Sequence, residues 1–392
     1  MSLKIKSMYL NLTITRTLMV AIGLWPYQQS KLIRFQFICL SSIVTASVIF
    51  QCTVFISQKC TPELIIKVLS SVCFFLFSLT KYNLFSLNLD VMKDMFQELF
   101  DECNKLKDAN EIAIIDEYGY NGKRIAIFIT SCGALGMFGF TIAPFCPKIF
   151  NFILRTNLSY SPNVLIVEYF INQEKYFYVI MLHSLVAVFL AMTIITAIGL
   201  LFYSYFQFIC GVFQIASYRI ERAMSVHVLQ NINLRKNIFI CKSLICAVHT
   251  HRQAMKFCLL WESNCTVMVF FLIIFGTLTM SFNMFRMMSS GNDIKEFLIS
   301  FIHTFFILVY AFLSNYSAQL VTDLNHQLFV TAYKIPWYRA PISIQKLILF
   351  LLQKTSKTFY VTCGGVYVGS IEGFAMIIKT SVSYFTLMHS VQ

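Results

Sequence analysis

The sequence predicts an all-α membrane protein with seven transmembrane helices. The chain has 392 residues, of which 57% are hydrophobic and only 12% charged, against about 25% charged in a soluble domain. Its longest apolar runs are each sufficient to cross a hydrocarbon core about 30 Å thick. They are 35–56, 64–86, 125–147, 177–209, 264–288, 294–320 and 361–388. A soluble fold could not bury so much apolar surface.

The distribution of basic residues predicts the orientation of the chain. Of its 31 Lys and Arg residues, 22 lie in segments 1–34, 87–124, 210–263 and 321–360, and 6 in the opposite loops or at the ends of the runs that border them. By the positive-inside rule the N-terminus is cytoplasmic and the C-terminus extracellular, the reverse of a G-protein-coupled receptor. Topology and anionic membrane lipid also account for the net charge of +13, so we expect no nucleic-acid partner. The glycosylation sequon at Asn157 would then be external.

The chain divides into four predicted regions. Residues 1–34 form a cytoplasmic arm, and 35–320 hold the first six helices and their helical extensions into the cytoplasm. Residues 321–360 form a further cytoplasmic segment, and 361–392 the last helix and a short external tail. Met92, Met95, Phe96 and Leu99 recur at helical spacing, which predicts that the second helix continues beyond the membrane as an amphipathic rod. We see no cleavable signal peptide and expect the first apolar run to act as a signal-anchor.

Nothing in the sequence predicts an enzyme, a metal site or a cofactor. The chain lacks a phosphate-binding glycine loop, a paired-histidine zinc motif and a serine nucleophile elbow. His249 and His251 are two residues apart, so they do not share a helix face. Cys60 and Cys146 are the cysteines predicted to be external, and a disulfide between them remains open.

The most specific motifs lie in the last 60 or so residues. The chain has Ala332-Tyr333 and then Trp337-Tyr338, a glycine pair at Gly364-Gly365, and Ser383-Tyr384-Phe385 near the end. This arrangement resembles the insect odorant receptor family. The related gustatory receptors carry a Thr-Tyr followed by Gln-Phe, where this chain has Ser383-Tyr384 and then His389-Ser390-Val391. The family's co-receptor has a longer chain and a much longer loop where this chain has 210–263, so the resemblance is to a ligand-tuning subunit.

The resemblance implies a ligand-gated, non-selective cation channel opened by a small volatile molecule. It implies a hetero-tetramer with a co-receptor, located as a multi-pass protein in the plasma membrane of a sensory neuron dendrite. A gustatory-type receptor channel of the same superfamily is the alternative. A polytopic transporter is disfavoured because the sequence shows no internal repeat.

The resemblance also implies which residues line the pore, in the last helix. Leu387 and Val391 match the positions of an apolar gate that closes by dewetting. Ser383 shares their helix face and Thr380 lies one turn before it. Glu372 would face water and attract cations, because a charge at bilayer depth is costly. The alternative for Leu387 and Val391 is that they merely face lipid. Gly365, Gly369 and Gly373 recur every four residues and are predicted to form a small-residue stripe on this helix.

Two further sets of residues follow from the resemblance. Tyr333, Trp337 and Tyr338 would belong to a cytoplasmic anchor that packs subunits together, although aromatic residues also mark ordinary membrane interfaces. The ligand pocket would lie in the outer half of the membrane and accept a small apolar molecule with one hydrogen-bonding group. Its predicted lining, for which ordinary helix packing is the alternative, is Phe74, Phe75, Phe138, Phe140, Met181, His183, Phe301, His303 and Thr304.

Overall fold

The computed structural model describes residues 12–28, 30–142, 165–172, 175–225, 234–291 and 294–390, and these are almost entirely helical. The first half contains α1 (Thr13–Ala21), α2 (Lys31–Cys52), α3 (Val54–Ser57), α4 (Pro62–Leu87), α5 (Leu89–Asn104) and α6 (Ala109–Ile142). The second half contains α7 (Phe177–Ala223), α8 (Leu234–Ser289), α9 (Ile294–Lys334), a 3₁₀ turn (Trp337–Arg339), α10 (Ile342–Thr355), strands β1 (Thr362–Cys363) and β2 (Tyr367–Val368), and α11 (Ile371–Ser390).

Several helices begin where the sequence provides a capping side chain. The Ser30 hydroxyl accepts a hydrogen bond from the Ile33 backbone N–H at 3.2 Å, which caps α2. Thr61 does the same for Leu64 at 3.2 Å, and Pro62 occupies the first position of α4, where no N–H is needed. At Asn88 the backbone leaves helical geometry, so α4 and α5 are separate helices. Local chemistry thus places these helix ends.

Within the described ranges, six helical segments are long and apolar enough to cross a membrane. They are Lys31–Ser57, Pro62–Leu87, Ala109–Ile142, Phe177–Ala223, Asn237–Ser289 and Glu296–Lys334. They correspond to the first six predicted runs. The longest, α8, has 56 residues and a length of roughly 84 Å, far more than a bilayer core requires.

The excess length of α7, α8 and α9 forms a second helical layer, which we call the lower tier. Its core is a separate buried cluster that joins these helices to α10. The cluster consists of Ala216, Ile220, Ala223, Met224, Ile240, Leu244, Ala247, Leu328, Ala332, Ile335, Ala340, Ile344, Ile348 and Leu351. The predicted amphipathic helix is confirmed as α5, whose Met92, Met95, Phe96 and Leu99 are buried, but it does not continue the second helix, because the helix breaks at Asn88. The remaining part of the molecule contains α4, the N-terminal half of α7, the C-terminal half of α8 and the N-terminal half of α9. We call this part the upper bundle.

The N-terminal arm contains a helix that its mixed polarity did not predict. Met19 and Ile22 of α1 are fully buried, and the Tyr82 hydroxyl of α4 donates to the Ile22 carbonyl at 2.7 Å. The Gln36 side chain of α2 donates to the Ala21 carbonyl at 2.7 Å. These bonds hold α1 against the bundle.

The seventh predicted helix, 361–388, begins later than the sequence indicated. Thr362 pairs with Val368 and Cys363 with Tyr367 in an antiparallel hairpin, and only from Ile371 is the chain helical. Gly364 and Gly365 form the turn with φ of +59° and +70°, a conformation that glycine adopts readily. The predicted stripe of Gly365, Gly369 and Gly373 along one helix is therefore wrong, because two of the three precede α11.

Candidate functional site

An elongated cavity of about 210 Å³ runs through the upper bundle. On α9 its lining extends from His303 to Ala318, about 22 Å along the helix axis. Residues of α4, α6, α7 and α8 form its sides, and the β1–β2 hairpin lies at its lower end. Its lining includes Phe74, Phe77, Ile129, Met192, Thr196, Gly199, Tyr203, Phe206, Trp261, Met268, His303, Phe306, Tyr310, Asn315, Thr362 and Tyr367. We call it the bundle cavity.

Stacked rings form the upper end of the bundle cavity. The His303 imidazole lies against the Phe74 ring, with centroids 5.2 Å apart and planes inclined by 15°. The Phe140 ring also stacks on this imidazole, with centroids 6.3 Å apart and planes inclined by 27°. His303 is buried and lines the cavity. The upper end therefore offers an aromatic surface with one polar ring.

A charged cluster joins three helices beyond this end. Lys67 Nζ lies 3.1 Å from a Glu296 carboxylate oxygen, and Arg286 Nε lies 3.5 Å from the other oxygen. Arg286 also donates to the Ser70 hydroxyl at 3.4 Å, and that hydroxyl donates to Asn283 at 3.1 Å. These contacts hold α4, α8 and α9 together above His303.

A fully buried lysine lies behind the middle of the cavity wall. Lys81 Nζ donates to the Ile195 carbonyl and to the Tyr310 hydroxyl, each at 2.8 Å. No carboxylate of the described residues forms an ion pair with it. A Cβ added to Gly199 would lie 2.9 Å from the Tyr310 ring and 3.4 Å from Lys81 Nζ, so glycine makes room for this contact.

The lower end of the cavity joins α8 to the hairpin. The Trp261 ring packs against Phe206, with centroids 4.9 Å apart. The next residue, Glu262, accepts a hydrogen bond from the Thr362 hydroxyl. The Cys363 thiol donates to the Thr266 carbonyl at 3.3 Å. These two hydrogen bonds attach the start of the hairpin to α8.

Asn315 connects α9 to the first turn of α11. Its carbonyl oxygen accepts from the Tyr367 hydroxyl at 2.6 Å and from the Ser370 N–H at 3.2 Å. The Ser370 hydroxyl in turn accepts from the Gly373 N–H at 2.9 Å and caps α11. Asn315 and Tyr367 also line the cavity. The hydrogen bonds of Asn315 therefore join the cavity wall directly to the base of α11.

Helix α11 packs on α8 and leaves its opposite face open. The buried Ser381 accepts, through its carbonyl, a hydrogen bond from the Ser281 hydroxyl at 3.0 Å. Positions 372, 376, 379, 383 and 387 are exposed and recur at helical spacing. This face carries Glu372, Lys379, Ser383 and Leu387.

The predicted site residues fall into distinct environments. Of the predicted ligand contacts, Phe74 and His303 line the bundle cavity. Phe140 supports His303 from behind, Phe75 packs on Phe74 at 5.4 Å, and Thr304 is buried with its hydroxyl donating to the Ser300 carbonyl. Met181 is half-buried outside the lining. The half-buried His183 instead pairs with Tyr169 at 2.6 Å.

Phe138 and Phe301 face away from the bundle and are 67% and 49% exposed. This placement departs from the pocket predicted for them, because each occupies the outer face of its helix.

The predicted anchor and pore residues lie on exposed faces. Tyr333 and Tyr338 are exposed, whereas Trp337 is half-buried against the lower tier. On α11 Thr380 is half-buried. Three positions named from the sequence, Val391, Asn157 and Cys146, lie outside the described residues.

Sequence reasoning missed the middle and lower parts of the cavity. Tyr310 and Trp261 line it, and Lys81 supports its wall. The signal for Lys81 was its position inside an apolar run, where an ionisable residue usually marks a functional region. For Trp261 and Tyr310 no signal was present, because aromatic residues make up 16% of this chain and single ones do not stand out.

Comparison with known proteins identifies the family. The profile of the 7tm odorant receptor family matches residues 61–382. The chain belongs to this family. Odorant receptor 10 of Aedes albopictus is 30% identical to this chain over 89 residues, which are 23% of this chain and 24% of that relative's length.

Two solved structures share the fold of this chain. One is the insect olfactory receptor OR5 from Machilis hrabei in complex with eugenol, with a TM-score of 0.82, and the other is a second structure of the same receptor, with a TM-score of 0.81. Each is 14% identical and covers 99% of this chain and 100% of its own. The multi-pass, all-α membrane architecture is thus confirmed.

Proposed function

We propose that the protein is the ligand-tuning subunit of an odorant-gated, non-selective cation channel that it forms with a co-receptor. The observation that carries this proposal is the continuity of the bundle cavity with the base of α11. Asn315 and Tyr367 belong both to the cavity lining and to the bonds that hold the first turn of α11. A ligand in the cavity therefore acts on a wall that is shared with the helix proposed to gate the pore.

The ligand we propose is a small, mainly apolar volatile molecule. The lining is dominated by Phe, Met, Ile and Leu side chains, which suit such a molecule and adapt to several shapes. Phe74 and His303 contribute the aromatic upper end. The complex of Machilis hrabei OR5 with eugenol supports a small-molecule ligand for this fold.

The pore-lining face we propose is the exposed face of α11. It carries Glu372, Lys379 and Ser383 within 12 residues, and charged groups facing lipid would cost at least about 2.5–3.5 kcal/mol each. A water-filled path removes this cost. Leu387, 59% exposed at the end of the same face, is suited to closing such a path by dewetting.

The lower tier is proposed as the region that joins subunits. Tyr338, Leu349 and Phe350 expose 63%, 65% and 69% of their surface, and Tyr333 is similarly exposed. With the N-terminus cytoplasmic, as the basic residues predict, this surface lies in the cytoplasm and the channel opens at the plasma membrane.

Whole-cell current in cells expressing this chain with and without an insect odorant co-receptor tests the proposal. Under block of G-protein signalling, a volatile panel is expected to evoke cation current only in the co-expressing cells. Surface labelling of both subunits serves as the control. Silence to a broad panel despite co-assembly at the surface would contradict the proposal.

A further inference from the structure

The bundle cavity is long and narrow rather than round. Its lining extends about 22 Å along α9, from His303 to Ala318, and about 21 Å along α7, from Met192 to Phe206. A volume of about 210 Å³ is small for this length. A compact or branched molecule would leave much of the length empty, and an unfilled apolar space forfeits dispersion contacts. The shape therefore suits one extended, unbranched chain.

The long sides of the cavity offer few free polar groups. The lining consists mainly of aliphatic, aromatic and methionine side chains. Most of its polar groups are engaged within the protein. Thr277 and Thr279 donate to backbone carbonyls of α8, each at 2.7 Å, and the Tyr310 hydroxyl accepts from Lys81 at 2.8 Å. Such walls favour a ligand that is apolar along most of its length.

His303 gives the upper end of the cavity a polar edge. Its imidazole stacks on the Phe74 and Phe140 rings, and stacking leaves the N–H and the nitrogen lone pair available, because both lie in the ring plane. Among the described residues neither ring nitrogen has a hydrogen-bond partner, and neither is one of the unpaired polar atoms that the protein covers completely. Because the ring lines the cavity, a ligand at this end can reach a nitrogen.

We propose that the bundle cavity binds an unbranched aliphatic alcohol, with its hydroxyl on the His303 imidazole and its chain extended down the cavity. This proposal rests on the proposed function and adds the chemical class of the ligand. A neutral imidazole has one donor nitrogen and one acceptor nitrogen. A hydroxyl both donates and accepts, so it bonds this ring in either tautomer, whereas a ketone or ester only accepts.

The chain length of the alcohol then decides whether the ligand reaches the base of α11. Val361 and Tyr367, from the segment that leads into α11, line the lower end of the cavity. Tyr367 donates to Asn315, which also accepts from the first turn of α11. A short alcohol held at His303 leaves this end unfilled, whereas a longer one contacts it. Longer chains are therefore expected to act more strongly on the gate.

The first test measures binding without using channel activity. Equilibrium dialysis of unbranched primary alcohols against receptor nanodiscs, corrected with empty nanodiscs, gives a dissociation constant for each chain length. Binding is expected to strengthen up to about fourfold per methylene and to fall once the chain exceeds the cavity. Cyclic alcohols with the same number of carbons should bind more weakly. A series without a length limit, or equal binding of the cyclic isomers, would overturn the proposal.

A bulky side chain inside the cavity tests whether the length limit belongs to this site. Thr196 lines the cavity on α7, one turn above Gly199, whose backbone lies against Tyr310. Thr196→Phe is expected to shorten the longest alcohol that binds. Thr193→Phe is the matched control, because Thr193 lies outside the lining on the same helix and donates to the Phe189 carbonyl. An unchanged limit in a folded Thr196→Phe receptor would place the alcohols elsewhere and overturn the proposal.

The position of the hydroxyl is tested with His303→Phe, because phenylalanine keeps a ring for stacking and has no nitrogen. The dissociation constant of the alcohol should rise by up to about tenfold, while that of the parent alkane stays unchanged. His326→Phe, the same change at an exposed position of α9 outside the cavity, should alter neither. Equal losses for alcohol and alkane would overturn the assignment to His303, and tighter binding of a methyl ketone would overturn the hydroxyl class.

Currents from the co-receptor channel separate this proposal from the proposed function. The alcohols should evoke current up to the same length limit, and Thr196→Phe should shift that limit to shorter chains. A length limit in binding without evoked current at any length would refute the proposed function and leave the ligand class standing. Evoked current without a length limit would overturn the ligand class and leave the proposed function intact.

Discussion

The lower tier and the upper bundle each contain a basic side chain that hydrogen-bonds several helices, and they accommodate it differently. In the lower tier Arg219 forms two hydrogen bonds with Glu111, at 2.6 and 2.7 Å, and a third with Thr250. In the upper bundle Lys81 is bonded to a backbone carbonyl and to the Tyr310 hydroxyl, with no carboxylate of the described residues paired to it.

The difference lies in the charge of the groups that each basic side chain contacts. The Arg219 pair links α6, α7 and α8 by opposite charges, so loss of either partner leaves the other charge buried. The Lys81 contacts are with neutral groups on α7 and α9, so loss of the lysine strands no charge. The comparison indicates that Arg219 joins its helices by complementary charge, whereas Lys81 joins its helices by hydrogen bonds to neutral groups beside the cavity wall.

The largest expected effect is from breaking the lower-tier ion pair. Arg219→Met leaves the Glu111 carboxylate, whose side chain is 8% exposed, without its partner and should lower the free energy of unfolding by about 3–5 kcal/mol. Thermal unfolding of the purified receptor in detergent measures this. Lys256→Met is the matched control, because the Lys256–Glu98 pair is exposed and should contribute at most about 1 kcal/mol. Equal losses in the two variants would contradict the comparison.

The next effect concerns the bonds between α9 and α11. Asn315→Ala removes the acceptor for both the Tyr367 hydroxyl and the Ser370 N–H, at an expected cost of about 1–3 kcal/mol. Tyr367→Phe removes only one of these bonds and should cost less. Thermal unfolding ranks the two variants, and a larger loss in Tyr367→Phe would show that Asn315 is not the central acceptor.

The Lys81 contacts predict an asymmetry between two partners. Lys81→Met replaces a buried amino group by an apolar chain of similar volume and should be neutral or stabilising. Tyr310→Phe removes one acceptor of the Lys81 amino group and should cost about 1–3 kcal/mol. Both variants are compared with the wild type by thermal unfolding. A strong loss in Lys81→Met alone would mean that the Lys81 hydrogen bonds themselves stabilise the bundle.

The smallest effect is expected at the start of α6. The Asn110 backbone N–H, together with Arg222, holds the pKa of the Asp108 carboxyl below its ordinary value. Because the folded pKa is the lower one, this stabilisation is present above the ordinary pKa of the carboxyl and is lost as the pH falls through the folded value. In Asp108→Asn the melting temperature should therefore decline less steeply over that acidic range. Identical pH profiles for the wild type and Asp108→Asn would show that the Asp108 carboxylate does not stabilise the fold in this way.

Periodicity and composition predicted the parts of the fold that depend on local sequence. The apolar runs and the buried face of α5 follow from hydrophobic spacing. The hairpin at 362–368 was missed because an apolar, glycine-containing run is also compatible with a transmembrane helix. Only the positive φ values of Gly364 and Gly365 distinguish the two.

The cavity depends on which helix faces meet, and a single sequence does not contain that information. Phe74, His303, Phe138 and Phe301 were all named through the family resemblance. The first two line the cavity, whereas Phe138 and Phe301 are on outward faces of their helices. Tyr310 becomes distinctive only when packing bonds its hydroxyl to Lys81, and Trp261 only when packing brings it to the cavity lining.

The central claim is that this chain contributes a pore-lining helix to an odorant-gated channel. Cysteine accessibility tests it most directly, with Leu387→Cys on the exposed face of α11 and Ser381→Cys, buried against α8, as the matched control. A membrane-impermeant, positively charged thiol reagent applied outside should block the ligand-evoked current of Leu387→Cys and leave Ser381→Cys and the wild type unaffected. Unaltered current in a Leu387→Cys channel whose labelling is confirmed chemically would contradict a pore-lining role for α11.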